Sequence, residues 1–206
     1  MIVSVFRVHK IKFLKARVLR LTFASASLIL VLTTLPSCNN SKPEDTKEVA
    51  EEHNDAKFDN AKEDDAKFLV SAAELNLEEI QLGQWAQNNS MNVDIKNLGK
   101  MMETEHTKAL SDLQALAAKK QITIPTALTD DGMSASKKLM DRKASQFDKE
   151  YCDMMVNGHK DAISKFEKAS TDAADADIKS WASASLPALR THLDHSMTCQ
   201  EKTKKM

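Results

Sequence analysis

Residues 95–116, IKNLGKMMETEHTKALSDLQAL, carry the pattern that decides the fold. Apolar or small residues recur there at alternating spacings of four and three, at Ile95, Gly99, Met102, Ala109, Leu113 and Leu116. This period places them on one face of an α-helix. His106 falls on the same face. The stretch therefore predicts an amphipathic helix with a histidine among its buried residues.

Three further stretches repeat this spacing, and each holds one side chain in its apolar face that can bind a metal. They are residues 68–86, 148–169 and 178–199, and the side chains are Glu79, His159 and His192. The chain has only 4 glycines and no alternation of β-branched residues that would indicate strands. These patterns predict an all-α domain over residues 64–203, in which four long helices bring the polar side chains into one core.

The connection between the second and third helices decides whether these side chains can meet. A proline and a glycine interrupt the chain there, residues 133–142 fit a short extra helix, and a capping-box sequence begins at Ser145. If residues 121–144 cross the bundle, the two helices run parallel, and His106 and His159 each lie about fourteen residues from a helix start. If the third helix instead began directly after the break, the two histidines would be roughly 16 Å apart. We favour the crossing.

The N-terminus has the pattern of an exported protein. Six basic residues and no acid lie within residues 1–20, and the apolar run 21–35 follows. This run is shorter than the roughly 20 residues that a membrane-spanning helix needs, so we interpret residues 1–37 as a signal peptide. Leu35-Pro36-Ser37-Cys38 resembles a lipobox, which predicts cleavage before Cys38 and acylation of its thiol. An ordinary secretory signal with an incidental Cys38 is the alternative.

The predicted mature chain begins at Cys38 and is acidic. Residues 38–63 are polar and are expected to form the acylated cysteine and a flexible tether. Without the signal peptide, 23 basic residues face 30 acidic ones, a net charge of −7, so we expect no nucleic-acid partner. Asn39 after the acylated cysteine resembles the usual signal for outer-membrane sorting. We therefore expect a periplasmic lipoprotein anchored to the outer membrane, with an envelope protein as a further partner.

Short motifs follow one another in a specific order between about residues 64 and 200. They are Phe68-Leu69, Glu79-Ile80-Gln81-Leu82-Gly83, Met102 with Glu105-His106, Phe147-Asp148 with Tyr151, Met155-Val156 with His159, and Leu186-Pro187-Ala188-Leu189 with His192-Leu193. Together they resemble the exported bacterial family catalogued as domain of unknown function 4142. The resemblance implies a ferritin-like four-helix bundle with a long crossover between the second and third helices. It implies no biochemical role.

The predicted site departs from the two-metal pattern of ferritin-like proteins, in which two helices each give a Glu and two each give Glu-x-x-His. His159 stands where a carboxylate is expected, and Leu189 stands three residues before His192. Imidazoles with a carboxylate suit a single Zn, Cu or Fe ion better. The residues of the predicted metal site are Glu79, Glu103, His106, His159 and His192, with Glu103 or Asp148 as hydrogen-bond acceptors for the histidines.

Two alternatives to metal binding remain open. The same residues can form a structural hydrogen-bonded network, and the chain can then serve as an interaction module of the cell envelope. An enzyme is less favoured, because the sequence has no Gly-rich phosphate loop, no HExxH motif and no convincing Ser-His-Asp set.

The two remaining cysteines are linked to the histidines by spacing. Cys152 precedes His159 by seven residues, and Cys199 follows His192 by seven. In antiparallel helices, level histidines would therefore mean cysteines close enough for a disulfide. An offset of about five residues, some 7 Å, would instead favour two buried thiols. Both states are open.

Overall fold

The computed structural model describes residues 45–205, except for the side chains of residues 144 and 145. This part of the chain has six helices and no strand: α1 (Thr46–Asp55), α2 (Asn60–Asn89), α3 (Val93–Lys120), α4 (Asp130–Met140), α5 (Ala144–Asp172) and α6 (Ala176–Thr203). The prediction of an all-α domain is confirmed. Within the described residues, no helix combines the length and hydrophobicity that crossing a membrane requires. The predicted signal peptide and Cys38 lie outside the described residues.

Contacts at opposite ends of the long helices give their directions. Lys202 near the end of α6 pairs with Asp94 at the start of α3 at 2.7 Å, and Lys120 at the end of α3 pairs with Asp175 before α6 at 2.6 Å. Helices α3 and α6 are therefore antiparallel. Because α6 also turns back along α5, α3 and α5 run in the same direction. Residues 121–143, including α4, connect the end of α3 to the start of α5.

Local capping explains where α6 begins. The Asp175 carboxylate accepts hydrogen bonds from the backbone N–H groups of Asp177 and Ile178, at 2.9 and 3.2 Å. At the start of α5 the structure differs from the predicted capping box. This helix begins at Ala144, and Lys143 occupies the cap position without a side-chain hydrogen bond. The predicted cap residue, Ser145, is therefore two residues later than the cap in the structure.

Residues 45–63 depart from the flexible tether that their polar composition suggested. Ala50 of α1 is buried, and the Asn54 side chain makes two hydrogen bonds with the backbone of Thr123, at 2.8 and 2.9 Å. Lys57 also donates to the carbonyl of Gln121 at 2.8 Å. Polar contacts with the α3–α4 connection thus hold α1 in place, which is why an apolar pattern could not reveal it.

Helices α2 and α3 approach each other closely at two glycines. A Cβ atom on Gly83 would lie 2.5 Å from the carbonyl oxygen of Gly99, and a Cβ on Gly99 would lie 2.6 Å from that of Gly83. Side chains at these positions would push the backbones apart. The crossing therefore requires glycine on both helices.

The core consists of two apolar clusters with a polar layer between them. One cluster includes Leu69, Leu113 and Phe166, and the other includes Met102 and Met155. Along α3, α5 and α6, the predicted histidines fall between the residues of the two clusters. The fold therefore surrounds the candidate site with apolar side chains on both sides.

Candidate metal centre

Three buried histidines meet in the polar layer, one each from α3, α5 and α6. The side chains of His106, His159 and His192 are 2%, 0% and 3% exposed. Their ring centroids are 5.1 to 5.6 Å apart. One ring nitrogen of each histidine lies within 4.8 Å of those of the other two. The structure thus brings together the three histidines that the sequence predicted.

One nitrogen of each ring is held by a neighbouring acceptor. His106 Nδ1 lies 2.9 Å from the Asn76 side-chain oxygen, and His159 Nδ1 lies 2.8 Å from the backbone carbonyl of Met155. The Asn76 amide nitrogen donates to the carbonyl of Ala72 at 2.7 Å, which leaves its oxygen to accept from His106. Both histidines therefore carry the proton on Nδ1 when neutral.

The third histidine is held in the same way by a carboxylate. His192 Nε2 lies 2.7 Å from Glu105 Oε2, so the proton of a neutral His192 sits on Nε2. The nitrogens left with a lone pair are Nε2 of His106, Nε2 of His159 and Nδ1 of His192. These three atoms are also the ring nitrogens that are buried without a hydrogen-bond partner. A structural network would pair such atoms, because buried polar atoms without a partner are costly.

The three lone pairs fit the requirements of one metal ion. Zn–N bonds of about 2.0–2.1 Å place the nitrogens of a tetrahedral site about 3.3 Å apart. Movements of roughly 1 Å by the rings would bring this set to that spacing. Hydrogen bonds from the second ring nitrogens to amide, carbonyl and carboxylate oxygens are the usual support of metal-binding histidines.

Burial keeps two of the histidines neutral. Loss of hydration lowers the pKa of His159 to about 4, although the hydrogen bond to the Met155 carbonyl opposes this. The pKa of His106 is lowered well below its usual 6.5, first by burial and then by the neighbouring histidines. Neutral imidazole is the form that binds metal, so these two ligands are ready at pH 7.

Glu79 lies beside the histidines but outside the group that can share an ion. Its Oε1 atom is 3.7 Å from His159 Nδ1, the nitrogen opposite the free lone pair. A Cβ on Gly158 would lie 3.2 Å from the same oxygen, so this glycine makes room for the carboxyl group. Burial raises the pKa of Glu79 well above 4.5, and Glu78 adds to the effect. Glu79, predicted as a direct ligand, therefore lies beside His159 and outside the group of side chains that are close enough to share an ion.

Glu103 also lies elsewhere than predicted. Its two carboxylate oxygens accept hydrogen bonds from Gln84 at 2.9 Å and Gln87 at 2.7 Å, on the α2–α3 interface. These bonds lower its pKa. Glu103 is neither a ligand nor an acceptor for the histidines, and Asp148 makes no hydrogen bond with them. The acceptors are instead Asn76, Glu105 and the Met155 carbonyl. The only sequence signal for any of them is that Glu105 stands next to His106.

The two cysteines lie in the apolar cluster on one side of the histidines. The Sγ atoms of Cys152 and Cys199 are 2.7 Å apart, and both are free thiols in the structure. Level histidines and adjacent cysteines occur together on α5 and α6, as the spacing argument required.

A cleft of about 400 Å³ leads from the surface to the polar layer between α3 and α6. His106 and His192 line it together with Asn76 and Glu105. Its apolar walls come from Leu75, Ala109, Phe166, Trp181, Ala184, Ala188 and Leu189. The histidine group is therefore approachable from the α3–α6 side.

A scan against family models matched residues 49–198 to the family described as Domain of unknown function (DUF4142). The chain belongs to this family. The DUF4142 match begins within α1 and covers all three histidines, so α1 is part of the family domain. Searches of curated proteins and of solved structures found no match. The DUF4142 description states no activity, so function has to be argued from the site.

Proposed function

We propose that this protein binds one transition-metal ion, Zn, Cu or Fe, through His106, His159 and His192. The observation that carries the proposal is a group of three buried histidines whose rings approach within 4.8 Å through their nitrogens, each with one ring nitrogen that has no hydrogen-bond partner. Imidazole is a good ligand for each of these ions. The role that follows is storage, sensing or defence against metal or oxidative stress in the cell envelope.

We further propose that the domain is a ferritin-like four-helix bundle with a crossover, carried on a lipoprotein of the outer membrane. The sequence of residues 35–38 and the directions of α3 and α5 support this. Helix α1 begins at Thr46, so only residues 39–45 separate it from Cys38. Seven residues span at most about 25 Å, which would hold the site close to the membrane surface. A Cys38→Ser variant that remained acylated and membrane-bound would contradict this part of the proposal.

We also propose that Cys152 and Cys199 form a disulfide in the periplasm. Their sulfur atoms are adjacent, and an oxidising compartment allows such a bond to persist. Exchange with the disulfide of a thiol oxidoreductase would form the Cys152–Cys199 bond and leave the carrier as a dithiol. The bond would tie α5 to α6, the helices that supply two of the three ligands.

Elemental analysis tests the metal proposal. The chain is purified in mild detergent without chelator, beside a His159→Gln variant and a His195→Gln control. His195 is exposed on α6 and lies outside the histidine group, so its replacement should leave the metal content unchanged. We expect about one equivalent of metal in the wild type and the control, and a large loss in His159→Gln. If the wild type is metal-free and also fails to bind Zn, Cu and Fe on titration, the metal proposal is wrong. The residues would then form a structural hydrogen-bonded network, and the chain would serve as an interaction module.

A further inference from the structure

The metal ion proposed above would have one position that the protein does not fill. We propose that a small molecule with a single nitrogen, oxygen or sulfur donor atom enters the α3–α6 cleft and binds the metal as its fourth ligand. This inference rests on the proposed metal site and names the kind of ligand that the site would take.

The described residues offer three ligands and no fourth. Among them, the group of side chains close enough to share one ion contains the three histidines and no carboxylate or thiol. Glu79 faces Nδ1 of His159, whereas the free lone pair of that ring is on Nε2. Zn sites with three protein ligands keep their fourth position for water or another exchangeable ligand.

The cleft leads an external ligand to this position. Two of the three ligand side chains, His106 and His192, form part of its lining, while His159 lies behind them. Its volume of about 400 Å³ is within the range of small-molecule sites, which are mostly apolar with a few polar groups at one end. The cleft has this arrangement, with Trp181 and Leu189 among its walls and Asn76 beside the histidines.

The side chains that line the cleft carry a small net negative charge. Glu105 and Asp112 line it, and the single cationic side chain is Lys108, whose ammonium lies 3.4 Å from the Asp112 carboxylate. One negative charge therefore remains uncompensated, and it belongs to the carboxylate that holds His192. A divalent ion at the histidines would outweigh this single negative charge, so the cleft would admit neutral and anionic ligands alike.

The test uses the Co(II)-loaded protein and imidazole as the probe. Tetrahedral Co(II) absorbs visible light, and its spectrum changes when a ligand is exchanged. Ala188 is an exposed residue of the cleft wall one turn before His192, and helical side chains lean toward the N-terminus, so the His192 ring projects to its level. Ala188→Phe should therefore obstruct the passage. Ala118→Phe is the matched control, because Ala118 is exposed on α3 and does not line the cleft.

We expect imidazole to change the Co(II) spectrum saturably in the wild type and in Ala118→Phe, with Co content after desalting unchanged. In Ala188→Phe, the same spectral change should need an imidazole concentration at least about tenfold higher. If Co stays bound but its spectrum does not change when imidazole is added, this inference is wrong and the metal proposal is unaffected. An equal response of the two variants would also overturn it. A protein that binds none of Co, Zn, Cu and Fe would remove the metal proposal and this inference together.

Discussion

The neutral histidine layer should make the metal-free protein sensitive to acid, and Glu79→Gln is the variant in which to measure this. A histidine whose pKa is lowered by folding binds fewer protons in the folded state than in the unfolded state. Between the two pKa values, acid therefore favours unfolding. For His159 this interval runs from 6.5 down to about 4. Stability from this residue is present above pH 6.5 and is lost as the pH falls.

Glu79 acts in the opposite direction, which is why it must be replaced. Its pKa is raised by folding, so the folded state holds a proton that the unfolded state releases above pH 4.5. Its contribution to stability is complete below that value and declines as the pH rises. Glutamine resembles the protonated carboxyl group in shape and does not titrate. In Glu79→Gln the acid sensitivity of the histidines is no longer offset.

The size of the effect follows from the pKa of His159. From pH 6.5 to pH 5 the protein loses about 1.4 kcal/mol per pH unit from this residue, or about 2 kcal/mol in all. His106 adds a loss of the same sign. In urea unfolding of the metal-free chain, a loss of 2 kcal/mol lowers the midpoint by about 1 M.

The assay compares free energies of unfolding at pH 7 and pH 5 for the wild type, Glu79→Gln, and Glu79→Gln with His159→Gln. Glu79→Gln should lose at least about 2 kcal/mol on acidification, more than the wild type, and the double variant should lose less than Glu79→Gln. If Glu79→Gln has the same free energy of unfolding at the two pH values, the conclusion that folding lowers the pKa of the buried histidines is wrong.

Three further predictions concern the structure around the site. Gly99→Ala should lower the free energy of unfolding by about 2 kcal/mol or more, because its Cβ would lie 2.6 Å from a backbone oxygen of α2. Gly158→Ala is the control: its Cβ would lie 3.2 Å from a side-chain oxygen, so it should lower the free energy of unfolding by less. Asn54→Ala should cost about 2 kcal/mol and expose α1 to limited proteolysis, since two hydrogen bonds are lost. Protein isolated from the periplasm and then denatured should show no alkylation of Cys152 and Cys199 until it is reduced.

Each of these three predictions has an outcome that would contradict it. Equal stability of the two alanine variants would mean that α2 and α3 are not in contact through their glycines. An α1 that resists protease in Asn54→Ala would mean that the asparagine does not hold it. Thiols that react in denatured, unreduced protein would leave the cysteines as a buried dithiol.

The histidine layer could be predicted because periodicity reports which residues share a helix face. His106, His159 and His192 stand at core positions of their helices, and the assumption of parallel second and third helices placed the first two at one height. Because each cysteine is seven residues from its histidine, histidines at one height also place the two cysteines at one height. The turn that joins α5 to α6 lies at residues 173–175, near the midpoint between His159 and His192, so the two histidines lie at nearly the same height.

The carboxylates could not be placed in the same way. Glu103 stands three residues before His106, and a helix rotates by about 300° over that distance, so the two side chains face different neighbours. Glu79 is in the core as predicted, but spacing cannot say which edge of the His159 ring it meets. The fixed position of α1 was missed because hydrogen bonds to a distant backbone leave no periodic signal.

X-ray absorption of the metal-loaded protein tests the three-histidine site most directly. The account predicts three nitrogen ligands at about 2.0–2.1 Å with the multiple-scattering pattern of imidazole, and a fourth light atom from an exchangeable ligand. The His106→Gln variant should lose this pattern. Sulfur at about 2.3 Å would place the metal at the cysteines, and a shell of oxygens without imidazole would place it at surface carboxylates. Either result would contradict the site.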